Sequence, residues 1–287
     1  MRLLTLGDSW TEGAELWDPL LGPQQHPYPI LHKEHTEYRN KHAWPGQLGS
    51  MLGVDELVNL GWAGCSNDTS IRRLMRWLTT EGYLSGRSGK DLTVVIAWTK
   101  PDSTEFIPTN IEKATEICQW PYTADQHWVT VQPPSFEKDR WNKSHGIKEI
   151  DELSRAYYLK WCNPKEYFYR YINQNWMFQT IMNQIGANWL SFQNVYDNID
   201  LEFDKWEDHR ADLTTADIDP ADRALWNMVD PLRFYRKDQD RCTFHNFLMR
   251  SDIPRDQVML KTHPSEFGHN LWATELYQHI QHHNLFK

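Results

Sequence analysis

Strand-like and helix-like segments alternate over the first hundred residues, and this alternation constrains the fold more than any other feature of the sequence. Residues 92–98, LTVVIAW, form a near-continuous apolar run, which is typical of a strand covered on both faces. Residues 3–7, LLTLG, and residues 56–60, ELVNL, are two shorter strand candidates. Strands that alternate with helices build parallel sheets through right-handed crossovers, so the pattern predicts an α/β fold.

The segments between these strands carry helical signals. Residues 43–53, AWPGQLGSMLG, predict a short helix that is closed by a C-terminal glycine. A second helix is predicted from an apolar stripe with helical spacing, and residues 68–70 are its candidate caps. The stripe consists of Ile71, Leu74, Met75 and Leu78.

The chain becomes irregular after Trp98. Residues 100–165 are rich in proline and aromatic residues, and residues 197–250 are rich in aspartate. Long irregular segments are uncommon in compact domains. We therefore interpret both as insertions into a single domain that spans residues 1–287.

Regular elements return between and after these insertions. Hydrophobic periodicity predicts helices over residues 149–162 and 164–186, a strand over 189–195, a last strand over 257–260 (QVML) and a final helix over 265–283. Together with the first hundred residues, these elements predict a short parallel sheet between two layers of helices.

The composition argues against several classes of protein. The net charge of −9 disfavours a nucleic-acid binder, whose affinity depends on Lys and Arg meeting phosphates. Four cysteines without close pairing favour neither a disulfide framework nor a zinc site, and the histidines of residues 26–42 lack converging carboxylates, so we expect no metal. No apolar run approaches the ~18 residues of a membrane span, and the N-terminal apolar stretch is too short for a signal peptide. We therefore expect a cytoplasmic protein without a membrane partner.

Aromatic residues are unusually abundant, with 15 Trp, 12 Tyr and 11 Phe. Rings of this size fill cores efficiently, since each buries about 150–250 Å². They also form surfaces on which sugars or bases stack. Composition favours a ring-filled core and leaves the stacking surface open as an alternative.

Candidate site residues follow the predicted strands. In open α/β sheets, ligands bind beyond the carboxyl ends of the strands. The three strands of the first hundred residues lead into residues 7–10, residues 59–64 and Thr99, respectively. A fourth loop, His-Pro-Ser at residues 263–265, precedes the final helix.

Three of these four loops carry motifs that resemble those of one family. GDSWTEG after the first strand, NLGWAGCSND after the second and THPSEFGHNLWA at the final helix resemble the motifs of the GDSL, or SGNH, hydrolases, in the same order. The resemblance covers residues 1–98 and 257–283, and it implies a three-layer, flavodoxin-like α/β fold. The aromatic-rich insertions resemble those of SGNH-type proteins from tailed bacteriophages, which implies a virion location if the protein is structural.

The resemblance also implies roles for individual residues. Ser9 is the expected nucleophile, and His263 is the base that takes its proton. The backbone amides of Ser9 and Gly64 are the expected donors to the oxyanion, and Gly64 has no side chain to block the approach. This chemistry needs neither a metal nor an organic cofactor.

The sequence departs from the family's third motif, which supplies an Asn as a further oxyanion donor. Here the third strand runs into AWTKPDSTEF, with no Asn at that place. The hydroxyl of Thr99 and the side-chain amide of Asn67 are the candidate replacements.

A second departure concerns the group that orients the histidine. The family places an Asp three residues before the His, where this chain has Leu260. The candidate replacements are a backbone carbonyl and the carboxylates of Asp256, Asp252 and Glu266. An orienting carboxylate can change the rate by about 10⁴, so a Ser–His dyad and a damaged site both stay open.

The resemblance therefore predicts a serine esterase that cleaves an ester through an acyl-serine intermediate. The expected partner is a small-molecule or glycan ester, such as an O-acyl group on a carbohydrate. The alternative is a non-catalytic module of the same fold that binds glycan or protein through its aromatic insertions. A glycosidase is a third hypothesis, but the spacing selects no pair of carboxylates. The oligomeric state is left open.

Overall fold

A four-stranded parallel sheet forms the centre of the protein. In the computed structural model, the described residues are 1–21, 35–99, 101, 103–106, 129–131, 152, 156–157, 164–194, 220–237 and 243–286. The sheet strands are β1 (Arg2–Leu6), β2 (Glu56–Asn59), β3 (Leu92–Trp98) and β6 (Asn188–Gln193). Two further strands, β4 (Thr104–Phe106) and β5 (Val129–Val131), form a separate antiparallel pair.

The strand order in the main sheet is β2-β1-β3-β6, with every pair parallel. This order, in which the chain moves outward in both directions from β1, is that of flavodoxin-like doubly wound folds. All seven residues of β3 are buried. The α/β fold class predicted from the sequence is therefore confirmed.

Nine α-helices accompany the sheet in the described part of the chain. They are α1 (Ser9–Glu12), α2 (Thr36–His42), α3 (Trp44–Leu52), α4 (Asn67–Thr80), α5 (Pro164–Ile185), α6 (Pro220–Asn227), α7 (Phe244–Met249), α8 (Arg255–Val258) and α9 (Glu266–His283). None of the helices in these ranges is long and apolar enough to cross a membrane.

Helices cover both faces of the sheet, which gives the three predicted layers. Alternate residues of β3 point to opposite faces, as the pleat requires. Val94 and Ile96 pack in a core with α4 and α5, whereas Val95 and Ala97 pack in a core with α3 and α9. The sheet is therefore buried between two helical layers.

Most of the large aromatic side chains in the described residues belong to these cores. Trp44, Trp98, Trp189 and Trp272 are each less than 2% exposed. Trp272 stacks on Phe244 with ring centroids 4.8 Å apart. In this part of the chain the abundance of aromatics therefore serves packing, as the first interpretation expected.

The second predicted insertion contributes to the core as well. Trp226 on α6 and Phe234 are buried in the core on the α4–α5 side, and Phe234 forms a parallel bridge with Ser191 of β6. The first insertion supplies the β4–β5 pair. Most of residues 100–163 and 195–219 lie outside the described residues, including most of the helix predicted over 149–162, so the single-domain organisation stays a prediction.

Two local predictions were wrong. Residues 257–260 do not form a strand: α8 ends at Val258, and Met259 and Pro264 form an isolated antiparallel bridge around a turn. Short apolar runs of this kind do not separate helix from strand by periodicity alone. The cap of α4 is Ser66 rather than a residue of 68–70, and its hydroxyl accepts from the Thr69 amide in a capping box.

Candidate active site

The turn after β1 holds Ser9 at the carboxyl edge of the sheet. Gly7 has φ of 147°, and a Cβ there would lie 2.2 Å from the Thr11 hydroxyl. Asp8 caps α1, because its Oδ1 accepts from the Trp10 amide at 3.0 Å. These local constraints place Ser9 at the first position of α1, three residues beyond the end of β1.

His263 reaches Ser9 from the other end of the sequence. Its Nε2 lies 2.8 Å from Ser9 Oγ, across 254 residues of chain. The turn that presents His263 is closed by the Leu260 amide, which donates to the His263 carbonyl at 2.8 Å. Serine and histidine are therefore within hydrogen-bond reach, as nucleophile and base must be.

A glutamate that the sequence analysis did not consider contacts the opposite side of the imidazole. Glu15 Oε1 lies 3.3 Å from His263 Nδ1, and Thr262 Oγ1 lies 2.9 Å from the same nitrogen. The Thr262 hydroxyl also donates to Glu15 Oε1 at 2.8 Å, so each of the three side chains contacts the other two. The backbone amides of Thr262 and His263 donate to Glu15 Oε2 at 3.2 and 3.4 Å.

These contacts keep Glu15 ionised. Burial by itself raises the pKa of the carboxyl, but the hydrogen bonds from His263 and Thr262 outweigh it and lower the pKa to about 2. Glu15 also has φ of 68°, a left-handed conformation that is uncommon outside glycine.

The contacts with Thr262 and Glu15 select one tautomer of His263. An Nδ1–H donates to Thr262 Oγ1 and towards Glu15, which leaves the Nε2 lone pair to accept the Ser9 proton. The carboxylate faces the imidazole at the place where positive charge would develop if the ring took a proton from Ser9. This is the electrostatic role that an orienting carboxylate has beside a catalytic histidine.

The three carboxylates proposed from sequence do not occupy this place. Glu266 accepts from Tyr38 Oη at 2.8 Å and lies 2.5 Å from His42 Nδ1. Asp252 and Asp256, which lie before and within α8, make no hydrogen bond or ion pair with His263 in the structure. The sequence signal that could have found Glu15 is its position two residues after the GDSWTEG motif, which ends at Gly13.

The predicted oxyanion donors are only partly brought together. Ser9, Gly64 and Thr99 line one cleft, and Gly64 has φ of 75°. The Ser9 amide lies in the first turn of α1, where amides have no intrahelical acceptor, and it has no partner among the described residues.

The Asn67 side chain is hydrogen-bonded to the backbone of Thr99. Its Oδ1 accepts from the Thr99 amide at 2.8 Å, and its Nδ2 donates to the Thr99 carbonyl at 3.2 Å. The Asn67 side chain is buried and does not line the cleft. It therefore fixes the end of β3, and Thr99 is the residue there that faces the site.

The cleft has a volume of about 390 Å³ and combines polar and apolar side chains. It is lined by Asp8, Ser9, Trp10, Gly64, Cys65, Thr99, Ser103, His245, Thr262 and His263. The hydroxyls of Thr99 and Ser103 have no hydrogen-bond partner within the described residues, although both residues are about 5% exposed or less. His245 is half-buried, and burial lowers the pKa of its imidazole. No group of three or more metal-ligating side chains occurs in the described ranges.

The fold and this site define the class: an α/β protein with a serine–histidine–glutamate group at the carboxyl edge of a parallel sheet. The chain belongs to a family of unknown function, DUF6071, whose sequence model matches residues 31–287. The matched region includes Gly64 and His263 but begins after Ser9 and Glu15. No curated protein matches the chain.

Three solved structures with similar folds are named as esterases or lipolytic proteins. A lipolytic protein of the G-D-S-L family from Veillonella parvula has 13% identity and a TM-score of 0.38, with 97% of each chain covered. The psychrotrophic esterase EstA from Pseudoalteromonas has 11% identity and a TM-score of 0.40, with coverage of 98% of this chain and 97% of the esterase. A carbohydrate esterase has 12% identity and a TM-score of 0.40, with coverage of 98% of this chain and 68% of that one.

The phage origin and the cytoplasmic location expected from the sequence stay predictions.

Proposed function

We propose that the protein is a serine esterase that cleaves an ester through an acyl-serine intermediate. The observation that carries this proposal is the 2.8 Å contact between Ser9 Oγ and His263 Nε2, with Glu15 on the far side of the ring. A serine hydroxyl is a weak nucleophile unless a neighbouring base takes its proton, and this arrangement supplies such a base.

The proposed reaction has two halves. Ser9 Oγ attacks the ester carbonyl while His263 takes its proton, and the tetrahedral intermediate collapses when His263 returns the proton to the leaving alcohol. Water then attacks the acyl-serine, His263 again takes a proton, and the carboxylic acid leaves as Ser9 regains its hydrogen. The amides of Ser9 and Gly64 and the hydroxyl of Thr99 are the proposed donors to the oxyanion in both halves.

The polar lining of the cleft favours a small, hydroxylated substrate. Thr99, Ser103 and His245 present hydrogen-bonding groups inside a volume suited to a small ligand. These groups are open to the cleft. An alkyl chain would cover them without a hydrogen bond, which is costly, whereas the hydroxyls of an alcohol such as a sugar can bond to them. We therefore propose a short O-acyl group on a carbohydrate as the substrate class.

The direct test is labelling with a fluorophosphonate, which reacts with activated serines and needs no knowledge of the substrate. We expect the wild type to be labelled and Ser9→Ala to be unlabelled, because the phosphorus bonds to Ser9 Oγ. Ser50→Ala, an exposed serine on α3, is the matched control and should label like the wild type.

Failure of the folded wild type to react would contradict the esterase proposal. Glycan or protein binding that persists in Ser9→Ala without any turnover would then favour the non-catalytic module. Most of the aromatic insertions that would provide such a surface lie outside the described residues.

The substrate class has a separate test in Ser103→Ala. We expect KM for an acetylated monosaccharide to rise about 3- to 10-fold, the effect of losing one hydrogen bond to the sugar. KM for p-nitrophenyl acetate should stay unchanged, because its p-nitrophenyl group carries no free hydroxyl to which Ser103 could bond. Equal effects on both esters, or a preference of the wild type for long acyl chains, would contradict a carbohydrate substrate.

A further inference from the structure

The loop that carries Gly64 is fixed to the nucleophile helix by a buried carboxylate. Glu12, three residues after Ser9 on α1, accepts from the Ala63 amide at 2.8 Å through its Oε2. Glu12 is only 9% exposed, and Ala63 directly precedes Gly64. One hydrogen bond therefore joins the helix that begins with the nucleophile to the residue before the proposed oxyanion donor.

The two segments are in backbone contact around this bond. A Cβ at Gly61 would lie 2.6 Å from the Glu12 amide nitrogen, so the loop packs directly on α1. Close packing fixes how near the loop lies to α1. The Glu12 hydrogen bond also fixes the direction of the Ala63 N–H. It thereby sets the orientation of the following peptide, which carries the Gly64 amide.

Other contacts hold the same loop on either side of the Ala63–Gly64 peptide. The Trp62 amide donates to the Gly7 carbonyl at 2.9 Å, and Arg73 donates to the Leu60 carbonyl at 2.8 Å. On the other side of Gly64, the Cys65 amide donates to the Trp62 carbonyl at 3.1 Å, and the Cys65 thiol donates to the Gly7 carbonyl at 3.1 Å. Glu12 therefore holds the residue that precedes Gly64, and the contacts of Cys65 hold the residue that follows it.

Charged and polar groups surround the Glu12 carboxyl. The pKa of this carboxyl is raised, because burial outweighs the opposing effects of Arg39, the Ala63 amide, Arg73 and His263. Arg39 is itself buried, at 4% exposed. The Glu12 oxygen is thus a buried acceptor that the Ala63 amide holds in place.

We propose that Glu12 is a positioning residue that sets the Gly64 amide relative to Ser9 Oγ. This inference rests on the proposed esterase function, since an oxyanion donor has a role only in acyl transfer. Glu12 does not touch the substrate. It acts through the geometry of the Ala63–Gly64 peptide.

Three substitutions at Glu12 test the proposal, measured as kcat and KM for p-nitrophenyl acetate and as the rate of fluorophosphonate labelling. Glu12→Ala should lower kcat and the labelling rate by about 10²-fold, because a misplacement of about 1 Å at a catalytic group has an effect of that size. KM should change less than about 3-fold, because the donor acts mainly on the transition state.

The remaining two substitutions separate position from charge. Glu12→Gln keeps an oxygen at the same reach from the Ala63 amide and should recover most of kcat. Glu12→Asp keeps the charge but withdraws the oxygen by one methylene, and it should lose more activity than Glu12→Gln. A higher kcat in Glu12→Asp than in Glu12→Gln would overturn a positioning role and indicate a role of the charge. This comparison does not require that Glu12→Ala folds.

The controls distinguish this inference from the proposed function. Glu37→Gln, at an exposed position on α2, should behave like the wild type. If the wild type labels and folded Glu12→Ala labels equally fast, the positioning role is wrong while the esterase stands. If the wild type itself is unreactive, the esterase proposal fails and this inference fails with it.

Discussion

Replacing His263 by alanine is expected to lower kcat for ester hydrolysis by at least about 10⁴-fold, the largest effect of any single substitution apart from Ser9 itself. The physical reason is that His263 Nε2, 2.8 Å from Ser9 Oγ, is the base nearest to the nucleophile. Without it the serine proton must go to water. The measurement is steady-state hydrolysis of p-nitrophenyl acetate, with fluorophosphonate labelling in parallel.

His282→Ala is the matched control for this substitution. His282 is exposed near the last turn of α9, whereas His263 lies just before the first turn, so the two are separated by nearly the whole helix. We expect His282→Ala to retain full activity. Retention of more than about a tenth of wild-type kcat by folded His263→Ala would exclude the proposed base.

Replacing Glu15 by glutamine is expected to lower kcat by about 10² to 10⁴-fold, with little change in KM. Glutamine preserves the size of the side chain but removes the negative charge that faces His263 Nδ1 at 3.3 Å. The imidazolium that forms when Ser9 attacks then lacks its counter-charge. Thr262→Val should have a smaller effect, because the direct contact between Glu15 and His263 remains.

The pH dependence of folding gives an independent measurement of Glu15. Its pKa in the folded protein is about 2, below the 4.5 of a free glutamate, so ionised Glu15 stabilises the fold. That contribution is complete above pH 4.5 and is lost as the pH falls towards 2. The difference in unfolding free energy between wild type and Glu15→Gln should therefore shrink over this interval.

A pH-independent difference in stability would contradict the hydrogen-bonded carboxylate seen here. Equal kcat in Glu15→Gln and wild type would show that His263 needs no carboxylate, and would favour a Ser–His dyad oriented by Thr262 alone. Glu37→Gln serves again as the exposed control, because it removes the same charge from a surface position.

The elements that the sequence predicted best are those with a strong local pattern. The buried run of β3, the final helix α9 and the closing glycine of α3 at Gly53 all lie where expected. Each depends on residues within a few positions of one another. The QVML segment failed because four residues hold too little periodicity to separate a strand from a helical turn.

The sequence by itself determined the parallel α/β sheet and nominated Ser9 and His263 through motifs at its two ends. Only the tertiary structure decided which groups complete the site. Glu15 and His263 are 248 residues apart, and no local pattern links a carboxylate to an imidazole at that distance. Asn67 is a second example, because its side-chain amide is hydrogen-bonded to the backbone of Thr99, which directly follows β3 and lies 32 residues away. Periodicity records which face of an element is buried, whereas the partners of a polar side chain depend on how distant elements pack together.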